Sequence, residues 1–292
     1  MCDKISEGHG MKAEETTFQS NAQKTSTIVE VQEWVKPMQR DQRFVLLGSC
    51  FAQYMGERFQ TEGMNAVCNP LGAAYNPQSI QIQVKQSLSP DANLPIFCWP
   101  IAHEKEAVWR CWWANTLLSD TDEARFRKTI QDTFSMLGKA LREADWLFLT
   151  LGTNVCYRLE EKGMIVTNCH KVPDKYFDEV TLDVEACTDV LSDMMNVLET
   201  ECPKLNVVFT VSPYRYKKYG FHGSQLAKAT LLLAVDRICK LYPKKASYFP
   251  AYEIMMDELR DYRFYAEDMI HPAPEAVEHI YEKLRIRKNC KS

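Results

Sequence analysis

The sequence predicts an α/β domain, a three-layer αβα sandwich with helices on both faces of a mostly parallel central sheet, and three observations predict it. Apolar runs over residues 44–47, 146–150 and 207–211 are too continuous to have a solvent-facing side and read as strands buried on both faces. Patterns of helical period stand between them, such as Phe126, Ile130, Phe134, Leu137 and Leu141 on one helix face. Strand and helix then alternate along the chain, as βαβ crossovers require. The 292 residues are 46% apolar, ample for one large core, and no internal repeat or low-complexity linker divides them.

Taken in order, residues 1–27 are polar and aperiodic and are expected to be a flexible lead, with a single domain over 28–292. The first strand stops at Gly48, and Phe51, Met55 and Phe59 at i, i+4 and i+8 start a helix, so Ser49 opens that helix at the strand's carboxyl end. A second strand is expected over 65–68, and a Pro- and Gly-rich loop over 69–77 leads to a helix from about Gln78. The stretch 94–118 holds Trp99, Trp109, Trp112 and Trp113 with Pro95 and Pro100. It reads as short inserted strands whose aromatic rings either line a pocket or cover the sheet edge. After the 126–141 helix and the 146–150 strand, Val184, Cys187, Leu191, Met194 and Leu198 mark a helix. The 207–211 strand follows, then a helix on Ala227, Leu231, Ala234, Ile238 and Leu241. A last helix carries Val277, Ile280 and Leu284, and Pro272 suits its first position.

Composition narrows the function. A formal net charge of -4 supplies no basic field for nucleic acid or an anionic membrane. Eleven cysteines, an odd number without Cys-x-x-Cys spacing, read as buried thiols of a reducing compartment. The first residues lack the apolar stretch of a signal peptide, and no run of about 18 apolar residues occurs, so a soluble cytoplasmic protein is expected. His170, His222 and Cys169 offer mixed metal ligands, but no third ligand stands at a recognisable spacing, and no metal is expected.

Two features carry chemistry. Ser49 at a helix N-terminus is either a simple N-cap or a nucleophile placed where free amides and the helix dipole favour a developing oxyanion. Asp268, three residues before His271, can accept the Nδ1 proton and leave Nε2 free to take a proton from a serine. Cys50 could itself be a nucleophile, yet one residue into the helix it should turn away from the cleft and pack as a buried thiol. Arg215, just past the 207–211 strand, either binds an anionic or hydroxyl-rich substrate or pairs with a carboxylate such as Glu253 or Asp257. The charges over 257–263 read as a salt-bridged face or turn that positions the Asp268–His271 loop.

The chain resembles the GSCFA-domain proteins, a mainly bacterial family assigned to the SGNH (GDSL-like) hydrolase superfamily. The resemblance is carried by Gly48-Ser49-Cys50-Phe51-Ala52 and Asn69-Pro70-Leu71-Gly72-Ala73-Ala74-Tyr75-Asn76-Pro77. It continues through Leu151-Gly152-Thr153, Asn168-Cys169-His170-Lys171-Val172-Pro173, Ser212-Pro213-Tyr214-Arg215 and the run 252–265 into Asp268 and His271. Tyr216 stands where the family often carries a histidine. The resemblance implies a serine hydrolase with Ser49 as nucleophile, His271 as general base and then acid, and Asp268 orienting His271. It also implies an anion hole of the Ser49 amide, Gly72 and Asn154, in a loop that further offers Asn69 and Asn76. The expected reaction is hydrolysis of an ester, such as a small acyl group on a carbohydrate, through an acyl-enzyme and without a cofactor. An inactive scaffold that binds a glycan or metabolite, or an acyltransferase, are the alternatives. Oligomeric state has no signature in the sequence.

Overall fold

The computed structural model describes residues 27–286 except 33, 35, 90–92 and 101–106, so the expected lead, Thr27 apart, lies outside the described residues. β1 (Arg43–Gly48) runs into α1 (Cys50–Thr61), and β2 (Asn65–Cys68) precedes α2 (Pro77–Leu88). β3 (Ile96–Pro100) and β4 (Ala107–Cys111) form an antiparallel hairpin before α3 (Glu123–Glu143) and β5 (Trp146–Leu151). β6 (Val155–Leu159), β7 (Met164–Val166) and β8 (Phe177–Thr181) make a small antiparallel sheet, followed by α4 (Val184–Glu201), β9 (Asn206–Val211) and α5 (Gly220–Leu241). β10 (Ala246–Tyr248), the single turn α6 (Ala251–Glu253) and α7 (Pro274–Ile286) complete the order.

The central sheet has the order β10-β9-β5-β1-β2, with every pairing parallel. Its strands alternate sides, and the two faces differ. Phe44, Leu46, Trp146, Phe148 and Val208 pack under α1 and α7 against Phe51, Met55, Phe59, Ile280 and Tyr281. Val45, Leu47, Leu149, Val207 and Phe209 pack on the other side against α2 to α5 through residues such as Ile80, Phe134, Leu191 and Leu231. Strands buried on both faces need apolar residues at every position, hence the continuous runs. Each fully buried Leu or Phe contributes about 1.5–3 kcal/mol through area removed from water. Side-chain caps from Asn76, Asp122 and Asp183 start α2, α3 and α4, each stabilising by roughly 1 kcal/mol.

α1 and α7 are joined across the aromatic face. Arg58 donates to Glu278 at 2.7 Å and lies over the Tyr281 ring, whose centroid is also 6.0 Å from that of Phe59. The helix of α7 starts at Pro274, two residues later than expected, because Pro272 forms an isolated antiparallel bridge with Tyr265 and the Ala266 amide donates to the His271 carbonyl. The tryptophan-rich insert proves to be packing: Trp112 stacks on Phe97 at 3.7 Å, and Trp109 and Trp113 lean on the main core. The charged run begins on a π-turn, Ile254–Glu258, where Glu258 takes the Val29 amide, His279 and Lys283 and so ties three segments together.

Candidate active site

β1 has β2 on one side and β5 on the other, so the direction of winding reverses beside its carboxyl end, the position where open α/β sheets form a crevice. Gly48 stands at that end with φ +132°, and a Cβ there would lie 2.2 Å from the Thr150 carbonyl oxygen. Glycine is therefore required by both conformation and space. The Gly48 amide donates to Asn69 Oδ1 and the Ser49 amide to the Thr150 carbonyl, which locks the junction to β5 and the following loop. Ser49 then caps α1, its Oγ accepting from the Phe51 amide at 3.3 Å, and only 2% of the residue is exposed. The N-cap expected of Ser49 is therefore present.

A separate turn, ahead of α7, carries Asp268 and His271. Asp268 Oδ1 accepts from the amides of Ile270 (2.9 Å) and His271 (3.0 Å), and Oδ2 lies 2.5 Å from His271 Nδ1. Bonds from the His271 amide, its ring and the Ile270 amide hold the Asp268 carboxyl down at about 2. An ionised carboxylate only accepts, so Nδ1 is the donor between the two groups, and in the neutral imidazole Nε2 is then the acceptor. Nε2 has no hydrogen-bond partner among the described residues, and the half-buried ring lines a cleft of ≈ 590 Å³ with Tyr54, Glu57 and Arg58 of α1. Tyr214 packs its ring 4.6 Å from that of His271. Its phenol is pushed up by burial first, then by Cys50 and Asp268, so it stands between α1 and the turn. No hydrogen bond joins Ser49 Oγ to His271 Nε2 among the described residues.

The other residues singled out in the sequence fall differently. The Gly72 amide donates to the Asn69 carbonyl at 2.7 Å, and its φ of +88° and its contact with Asn115 explain why it is glycine. Asn154 is buried, donates Nδ2 to the Leu182 carbonyl at 2.6 Å and accepts from the Leu182 amide, so it fastens the small sheet to α4. Asn76 caps α2 and accepts from the Cys156 thiol. With the Ser49 amide also engaged, each of the three expected anion-hole donors already has an acceptor. Asn69 is the exception: its Oδ1 is fixed by Gly48, and its buried Nδ2 has no hydrogen-bond partner. Cys50, expected to pack as a buried thiol turned from the cleft, is half-buried, its Sγ 3.2 Å from the Tyr75 hydroxyl.

Arg215 pairs with neither Glu253 nor Asp257; Glu253 instead accepts from the Tyr248 hydroxyl. Its guanidinium lies over the rings of Phe221 and Tyr265 and donates to the Met269 carbonyl. Beyond Tyr214 a row of aromatic rings continues through Tyr216 and Tyr219 to a cluster in which Tyr157, Tyr219 and Lys218 all donate to Glu179. Spacing alone could not reveal this row, although the three tyrosines and two lysines of 214–219 mark the segment. His170 is buried with both ring nitrogens in use, Nε2 on the Cys111 carbonyl and Nδ1 on the Thr116 hydroxyl. Among the described residues no three His, Cys, Asp or Glu side chains converge as metal ligands, and no helix is long and apolar enough to cross a membrane.

Residues 43–284 match the GSCFA family, and the chain belongs to that family. A solved structure from Streptococcus pneumonia, provisionally described as a platelet activating factor, is 10% identical with a TM-score of 0.44, over 84% of this chain and 83% of that one. A carbohydrate esterase family 3 structure from Talaromyces cellulolyticus is 7% identical with a TM-score of 0.40, over 86% of this chain and 100% of that one. A carbohydrate esterase family 2 enzyme with a carbohydrate binding domain, from Corynascus thermopiles (Myceliophthora fergusii), is 19% identical with a TM-score of 0.31, over 48% and 35%. No curated protein sequence matches the chain.

Proposed function

We propose that this member of the GSCFA family is a serine esterase that removes a small acyl group from a carbohydrate or similar polyhydroxy alcohol through an acyl-enzyme. The observation that carries the reading is the fixed Asp268–His271 pair, whose Nε2 has no hydrogen-bond partner among the described residues, in a chain whose Ser49 opens a helix at the carboxyl end of β1. His271 Nε2 takes the Ser49 proton as Oγ attacks the ester carbonyl, and the ionised Asp268 stabilises the imidazolium that forms. The leaving alcohol takes that proton, and water repeats the sequence on the acyl-serine. Ser49 Oγ must first leave the Phe51 amide, a long bond worth about 1 kcal/mol, which is small beside a catalytic barrier. Asn69 Nδ2, with no acceptor of its own, together with the positive end of α1, serves the oxyanion.

The near-complete burial of Ser49 supports a small acyl group, and the tyrosine row supports a hydroxyl-rich leaving group stacked on aromatic faces. The nine described cysteines are unpaired, which supports a reducing, cytoplasmic setting. Treatment with a fluorophosphonate should label Ser49 in the wild-type protein and fail with Ser49→Ala and His271→Ala, in parallel with turnover of p-nitrophenyl acetate. A second reading, a non-catalytic carbohydrate binder, is favoured by the unmade Ser49–His271 bond. It prevails if the wild-type protein neither takes the label nor turns over the ester.

A further inference from the structure

The turn that bears His271 has few ways to satisfy its own backbone. Two of its amides, those of Ile270 and His271, go to Asp268 Oδ1. Its two outward carbonyls go elsewhere, and both go to one residue. The Arg215 backbone amide donates to the Ile270 carbonyl at 3.0 Å, and the Arg215 guanidinium donates through Nη1 to the Met269 carbonyl at 3.4 Å. Met269 sits in left-handed backbone at φ 57°, a conformation that costs a non-glycine residue energy and holds only where its surroundings impose it. The guanidinium is aimed by aromatic faces: Phe221 at 4.3 Å, Tyr265 at 4.9 Å and Tyr262 at 6.0 Å from their ring centroids. No carboxylate forms an ion pair with it among the described residues. Its neighbour Tyr214 meanwhile presses on the imidazole itself.

From this we infer that Arg215 is a positioning residue, which clamps the 268–271 turn from outside while Asp268 clamps it from inside, and so fixes the direction of His271 Nε2 towards Ser49. The inference rests on the esterase reading for its kinetic consequence, though not for its structural one. A guanidinium suits the task because it stacks flat on aromatic rings while its edge N–H groups still reach a carbonyl. It touches no reacting atom; it acts through the turn.

The test uses the full chain. Arg215→Met keeps the stem and removes the cation and its donors, and with p-nitrophenyl acetate kcat should fall about 10- to 100-fold, as expected for a base displaced by about an ångström. KM should stay within about twofold of wild type, because no substrate contact is lost. Arg215→Lys, which retains the charge and part of the packing, should recover part of kcat. In protein labelled with 15N-histidine, the His271 Nδ1 proton, assigned by its loss in His271→Gln, should broaden or shift in Arg215→Met.

Unchanged kcat with an unchanged Nδ1 signal overturns the inference, and so does a rise in KM alone, which makes Arg215 a substrate ligand. If Arg215→Met does not fold, Tyr265→Leu loosens the same guanidinium from one ring; it must weaken the Nδ1 signal, and an undisturbed signal counts against the clamp. Should the wild-type protein prove inert towards fluorophosphonate and ester, the esterase reading fails, while the histidine signal still decides whether Arg215 holds the turn.

Discussion

His170 and His271 each lie on a tight turn that runs through left-handed backbone, at His170 and Lys171 (φ 52° and 61°) in one case and at Met269 (φ 57°) in the other. Both also belong to short motifs that are equally conspicuous in the sequence. Their rings are nevertheless treated in opposite ways. His170 is 1% exposed, spends Nε2 on the Cys111 carbonyl and Nδ1 on Thr116, and is pushed down to about 4 by burial, so it is neutral and fully occupied. His271, on the wall of a cleft, spends only Nδ1, on a carboxylate, and its Nε2 has no hydrogen-bond partner among the described residues. A histidine with two partners fastens a structure, whereas one with a single ionised partner keeps a basic nitrogen available. The difference lies in what the second nitrogen meets, and motif strength does not report it.

The largest effects should separate the two histidines by kind. His271→Ala, like Ser49→Ala, is expected to lower kcat/KM for p-nitrophenyl acetate by about 10⁴- to 10⁶-fold at nearly unchanged melting temperature. His170→Ala should retain kcat in whatever fraction remains folded. Turnover lost in a well-folded His170 variant would erase the distinction. Asp268→Asn comes next, with a loss of about 10³- to 10⁴-fold at unaltered fold, because an amide in place of the carboxylate favours the wrong imidazole tautomer.

For His170→Ala the expected loss is one of stability, about 2–4 kcal/mol by urea unfolding, from the cavity and the stranded Cys111 carbonyl. The same contrast can be sharpened with pH. The folded His170 ring resists protonation until about 4, while in the unfolded chain it titrates near the ordinary value of about 6.5. The unfolded state therefore binds the extra proton between those limits. Stability tied to this group is fully present above about 6.5 and declines as pH falls towards about 4, by an amount on the order of 3 kcal/mol. A His170→Gln variant should flatten that slope in unfolding curves taken across the window, and an unaltered slope would assign it to other groups.

The parts legible in the sequence were those set by local patterning. The continuous apolar run before Gly48 and the i, i+4, i+8 spacing after it located Ser49 at a strand-to-helix junction, and that junction is present. The three-residue spacing of Asp268 and His271 was enough to bring their side chains together. What escaped depends on partners distant in sequence. Asn154 has a partner in Leu182, 28 residues on, to whose carbonyl it donates. Gly72 owes its glycine to Asn115. The sheet β6–β7–β8 consists of short, partly exposed strands with no continuous apolar signal, and Tyr214 meets His271 only because the end of β9 comes up against the turn. Cys50 is only half-buried and meets the Tyr75 hydroxyl, 25 residues on.

The joint between α1 and α7, through Arg58, Glu278 and the stacked Tyr281, has a consequence in time. Ser49 leaves the ribosome with the first helix of the sheet, whereas His271 arrives just ahead of the helix that docks beside it. During synthesis the nascent chain therefore carries an unactivated serine while β1, β2, β5 and β9 can already assemble. In the mechanism proposed above, α7 must dock on the aromatic face before His271 can serve Ser49, so reactivity would be the last property the growing chain acquires.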